Sequence, residues 1–137
     1  MTPTLFGRWQ TRIFLFAIVG VLITLPFAIF TQDVTYFLIL LYVTILGLIW
    51  DILYNFLQKL RWDRDWIGVF QLLSGIWEAI FIFAIIKLFG LPGIDQNLPL
   101  STFAFHYSCV WLGIYTVSQT LMRILFPRWR FWGGQIF

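Results

Sequence analysis

Four long stretches of this chain contain no arginine or lysine and almost no acid, and that pattern constrains the fold more than any motif. The first lies between Arg12 and Asp33, and the second runs from Val34 to Trp50 before meeting Asp51. The third stretches from Trp66 to Ile86 with only Glu78 inside it, and the fourth lies between Asp95 and Arg123. Each offers roughly 18–21 mostly apolar residues, enough at about 1.5 Å per residue to cross a hydrocarbon core of about 30 Å. Membrane strands would need about 10 alternating residues each, and no such alternation is present. The expected fold is an all-α membrane protein, an antiparallel bundle of four transmembrane helices forming a single domain over 1–137. The expected spans are 13–31, 34–56, 66–89 and 102–124, with a cytoplasmic loop at 57–65, an outer loop at 90–101 and an interfacial tail at 125–137.

Composition agrees with a membrane chain. Hydrophobic residues make up 61% and charged residues 11%, against about 45–50% and about 25% in ordinary domains. A small water-soluble fold needs a polar shell, because it buries a modest share of its surface. Nine basic and six acidic side chains do not supply one. A free soluble enzyme, a free nucleic-acid-binding domain and a disordered chain are excluded on this ground.

Eight of the nine basic residues collect on one side of the expected spans: Arg8, Arg12, Lys59, Arg61, Arg64, Arg123, Arg128 and Arg130. Lys87 is the exception. The positive-inside bias makes that side cytoplasmic, so both termini are expected inside. The net charge of +3 follows from topology and calls for no nucleic-acid partner. The expected host is a bacterial cytoplasmic membrane or a thylakoid-type membrane. Arginines ahead of an apolar run also begin a secretory signal. Here the run is too long for one, and F-A-I-F-T-Q-D offers no cleavage site, so a retained signal anchor is expected. Cys109 stands alone, which excludes an internal disulfide, a C-x-x-C redox pair and a multi-cysteine metal site.

Glu78 is the residue that asks most insistently for a role. A carboxylate near the bilayer centre costs about 2.5–3.5 kcal/mol on insertion scales, so it is expected to face protein or water. Gln71 and Ser74 share its helix face, and Gly75 and Ala79 form a small-residue seam beside it. On the second span Thr44, Gly47, Asp51, Asn55 and Gln58 recur at spacings of three and four, which predicts a second polar stripe. The fourth span carries His106, Cys109, Gly113, Thr116 and Thr120. Asp51, Glu78 and His106 at three depths would suit a proton relay. The alternatives are an interfacial Asp51 near Lys59, a hydrogen-bonded core His106 and a structural Glu78. A short echo also joins Ile49–Phe56 to Ile76–Phe83, with I-W-acid-x-aliphatic-aromatic-x-F in both; inverted repeats of this kind build many transporters.

On the cytoplasmic side, Arg61, Trp62, Arg64 and Trp66 of the loop and Arg128, Trp129, Arg130 and Trp132 of the tail combine residue types that anchor interfaces. The simpler reading of the same residues, and the favoured one, is a self-neutralising loop and an interfacial aromatic anchor. No catalytic group, metal ligand set or cofactor is assigned. The expected function is a non-catalytic structural, accessory or assembly subunit of a larger membrane complex. Its partners would be membrane lipids and either other membrane subunits or further copies of the chain. The alternative is a small oligomeric proton- or cation-translocating unit that uses Glu78. A lipid- or cofactor-binding enzyme using Glu78 and His106 is a third class.

Overall fold

The computed structural model describes residues 2–137. It is helical over 76% of the chain, with no strand among the described residues. Helix α1 covers Leu5–Leu15, a π-helical turn follows at Phe16–Gly20, and α2 completes the segment at Val21–Thr31. The long helices α3 (Thr35–Leu60), α4 (Gly68–Leu88) and α5 (Leu100–Gln119) come next. Two short helices end the chain, α6 at Leu121–Leu125 and α7 at Pro127–Phe131. Three segments, Leu5–Thr31, Thr35–Leu60 and Gly68–Leu88, are long and apolar enough to cross a membrane.

The long segments pack as a ring. The first contacts α3 and α5, α3 contacts α4, and α4 contacts α5. Periodicity builds this arrangement: on α3 the buried residues are Tyr36, Ile39, Leu40, Val43, Gly47, Asp51, Tyr54 and Gln58, one stripe at helical spacing. The outward faces carry Leu22, Phe30, Ile49, Trp77, Ile80 and Phe105, all exposed, as a chain with lipid for solvent requires.

The first helix starts earlier than the expected boundary at residue 13. Thr4 caps it through a hydrogen bond donated by Gly7 N at 3.1 Å, which places Arg8 and Arg12 inside the helix. The π turn then sets which side faces inward. Twelve residues of regular helix at about 3.6 per turn would leave Thr24 a third of a turn away from the Arg12 face. The wider π turn winds more slowly and removes much of that offset. Gly20 and Thr24 are accordingly buried below Leu15 and Phe16.

At the other end α5 stops at Gln119, and the break at Thr120 turns the chain back toward α1. The carboxy-terminal segment is bonded to the amino-terminal one. Thr4 N donates to Gly133 O at 2.7 Å, Thr11 Oγ1 to Gly134 O at 3.0 Å, and Ile136 N to Gln10 Oε1 at 3.0 Å. Gly7 permits this approach, since a Cβ there would lie 2.1 Å from Gly133 O.

Candidate functional site

The site centres on Arg12. Its Nε donates to Asp51 Oδ2 at 2.8 Å and its Nη1 to Glu78 Oε2 at 3.0 Å. Nη2 completes the arrangement, 3.0 Å from Asp51 Oδ1 and 3.0 Å from Glu78 Oε1. One guanidinium therefore grips all four carboxylate oxygens. The planar fork of arginine is suited to this, because it offers donors in parallel pairs. Both acids are nearly sealed, with side-chain exposures of 5% and 4%.

The echo between α3 and α4 takes physical form here. Its two acids meet on Arg12, and its tryptophans, Trp50 and Trp77, meet edge-on at 5.8 Å. Gly47, one turn before Asp51, supplies the room in which the Arg12 head lies.

Beside the ion pair is a cavity of about 130 Å³. Arg12, Asp51 and Glu78 line it together with Gln71, Ser74 and Ser118. Leu15, Phe16, Trp66, Trp111 and Ile114 add apolar and aromatic wall, and Trp129 and Gly134 of the tail lie over it. Gln71 Nε2 donates to Ser118 Oγ at 3.0 Å and Gln71 Oε1 accepts from Gln119 Nε2 at 2.9 Å, so a polar strip ties α4 to α5. Ser74 returns its hydroxyl to Gln71 O at 2.9 Å. Asn55, expected on the Asp51 stripe, is only half-buried.

Two donors on residues that line the cavity are poorly satisfied. Arg8 Nη2 donates to Gln58 Oε1, and the Arg8 guanidinium lies 4.3 Å from the Trp66 ring centre, yet its buried Nε has no hydrogen-bond partner. The Tyr54 hydroxyl is buried within reach of the Glu78 carboxylate, with no hydrogen bond of good geometry to it.

His106 lies elsewhere. Its Nε2 is 3.0 Å from Thr24 Oγ1, and the rings of Phe27 and Tyr36 close on it edge-on at 5.1 and 5.0 Å. No hydrogen-bond chain among the described residues joins it to Glu78. The stripe expected on the fourth span is also rotated. The buried α5 positions run through Phe103, His106, Tyr107, Val110, Ile114 and Ser118, while Thr116 and Thr120 are exposed. Thr120 Oγ1 returns to Thr116 O at 2.7 Å, which satisfies that hydroxyl within its own helix.

The loop and tail residues divide into two kinds. Arg61 Nη2 pairs with Asp63 Oδ2 at 2.8 Å and lies over Phe70, while Trp62 is fully exposed at the loop tip. Arg64 takes a left-handed backbone with φ 50°, and its carbonyl accepts from Gln58 Nε2 at 2.9 Å. Trp66 is half-buried between Arg8, Tyr54 and Phe70. In the tail Arg128 lies over Trp132 and Arg130 over Phe131, all exposed. Trp129 is different: it is 4% exposed and donates Nε1 to Thr11 Oγ1 at 2.7 Å. Its ring belongs to the core, so it is no free anchor.

No protein-family model, curated protein or solved structure matches this chain.

Sequence reasoning missed Arg12, Arg8, Tyr54 and Trp111. The signal for the arginines was charge arithmetic: two acids inside the apolar spans require two cations within reach, and Arg8 and Arg12 share one helix face.

Proposed function

We propose that this chain crosses its membrane four times with both termini on the cytoplasmic side, and serves without catalysis as a structural or accessory subunit of a larger membrane assembly. A fourth crossing is supported by the length of α5, whose 20 residues reach about 30 Å, and by its place in the ring between the first segment and α4. The sidedness rests on the eight basic residues gathered at one end. The host is a bacterial cytoplasmic or thylakoid-type membrane.

The observation that carries the accessory reading is the saturation of Asp51 and Glu78 by Arg12. A translocating carboxylate has to exchange partners as its cargo passes. Here both oxygens of both acids are already held, in a geometry that fastens three helices together. The chemistry left facing outward is apolar surface for lipid and neighbouring helices, together with the half-buried Arg61 and the exposed groups Trp62, Arg64, Arg128, Arg130 and Trp132 at the basic end. Trp62 at the loop tip is the first docking residue to test.

Native mass spectrometry after gentle extraction is the test. A reproducible mass excess that Trp62→Ala abolishes supports the reading, whereas a partner-free monomer overturns it. Proton flux into liposomes that disappears with Glu78→Gln would overturn it in favour of an ion-translocating unit.

A further inference from the structure

We propose that the cavity beside the Arg12 ion pair is a binding site for the uncharged ring headgroup of a quinone-type membrane amphiphile. The argument begins with charge. Arg8 and Arg12 face Asp51 and Glu78 around this space, two formal positive charges against two negative. A site so balanced has no net attraction for an anionic headgroup or for a cation, and it suits a neutral molecule with polar atoms at its edge.

Hydrogen-bond capacity comes next. Arg8 Nε–H is a buried donor without a partner, the Tyr54 hydroxyl has only the Glu78 carboxylate within reach and makes no well-formed bond to it, and both residues line the same cavity. A buried donor left unsatisfied is costly, so poorly satisfied donors on two residues that line one space call for acceptor oxygens there. Ring carbonyls are acceptors that bring no charge.

Size and wall chemistry select a ring. The volume is about 130 Å³, close to the roughly 150 Å³ of an engineered cavity that admits benzene. Trp66, Trp111 and Phe16 supply aromatic wall beside it. The cavity is only partly enclosed, which leaves an exit for an aliphatic tail. Binding alone is proposed, with no electron transfer. This inference is independent of the accessory role and would stand if that role failed.

The test is a titration of the full-length protein in detergent with a decyl-substituted benzoquinone, read as quenching of tryptophan fluorescence. Saturable quenching is expected. Tyr54→Phe and Arg8→Lys each remove one poorly satisfied donor while keeping the ring and the charge respectively, and each should weaken binding roughly threefold to tenfold. Ser74→Leu fills the cavity and should abolish saturation. Ile49→Ala, on the outward face, should leave it unchanged. Quenching that rises without saturation overturns the proposal, as does saturable quenching that all three cavity variants leave intact. Equal competition by a short-chain phosphatidylcholine also overturns it, since the occupant would then be a lipid headgroup. Comparisons use variants whose far-ultraviolet circular dichroism matches the parent. Tyr54→Phe deletes a single oxygen and keeps the test decisive if Ser74→Leu does not fold.

Discussion

Arg12 lies against Gly47 so closely that a methyl group on Gly47 would meet Nη1 at 2.1 Å. The arginine cannot step aside, because its head is tied to Asp51 and Glu78 on two different helices. A glycine in mid-helix normally weakens the helix by about 1 kcal/mol relative to alanine. Here the lost propensity makes space for the ion pair.

Gly47→Ala therefore sets helix propensity against overpacking. Overpacking of a filled interior costs about 1–3 kcal/mol, and the displaced guanidinium adds the loss of its hydrogen bonds. The expected result is a lower melting temperature in detergent. A Gly47→Ala protein as stable as the parent, or more so, would show that Arg12 does not occupy this space.

In the loop between α3 and α4, the hydrogen bond from Arg61 holds the Asp63 carboxyl below its ordinary value, with the Asp65 N–H assisting. The folded pKa is the depressed one. Its small contribution to loop order is thus present above the ordinary carboxylate value and lost as the pH falls through the lowered one. Arg61→Ala should move the Asp63 midpoint up toward 3.8, read from the side-chain carboxyl carbon by nuclear magnetic resonance. An unmoved midpoint would remove Arg61 as the cause.

What could be read in advance follows from which physical demands are local. Lipid imposes long uncharged runs, so the apolar helices were visible, and the expense of an intramembrane acid singled out Glu78 and Asp51. Arg12 was hidden by its own chemistry. Arginine before an apolar run normally extends its long stem outward to the interface, and nothing in the text of the chain shows that this one turns inward. The Thr24–His106 contact depends on the π turn at Phe16–Gly20, and a regular periodicity is blind to that one widened turn. Trp129 fits an aromatic belt as well as any other tryptophan. Only the return of the tail to Thr11 makes it a core residue.

Trp129 gives the tail a measurable anchor. Its ring is buried, and its indole N–H is bonded to a threonine 118 residues away in sequence. Trp129→Phe keeps an aromatic ring but gives up this hydrogen bond, worth about 0.5–1.5 kcal/mol net. Thr11→Val removes the other partner. Either change should speed proteolytic cleavage after Arg128 or Arg130, and the double variant should be little worse than the worse single one. Fully additive effects would mean that the two residues act separately.

The ion pair itself allows a sharper test, because breaking it and replacing it have opposite consequences. Arg12→Leu leaves two carboxylates facing each other in a nearly sealed space. The loss of one partner from a buried ion cluster costs about 3–5 kcal/mol. That single change should abolish folding or lower the melting temperature more than any other substitution considered above. Asp51→Leu or Glu78→Leu alone still leaves Arg12 one carboxylate, so each should be milder. The triple variant Arg12→Leu, Asp51→Leu, Glu78→Leu removes the charges together, and apolar replacement of buried ion clusters is often neutral or stabilising. The triple protein should recover most of the stability that Arg12→Leu loses, as read by melting in detergent. It should also keep any assembly partner if the cluster serves only to fasten the helices. Recovery of stability with loss of the partner would mean that the charges do more than hold α1, α3 and α4 together.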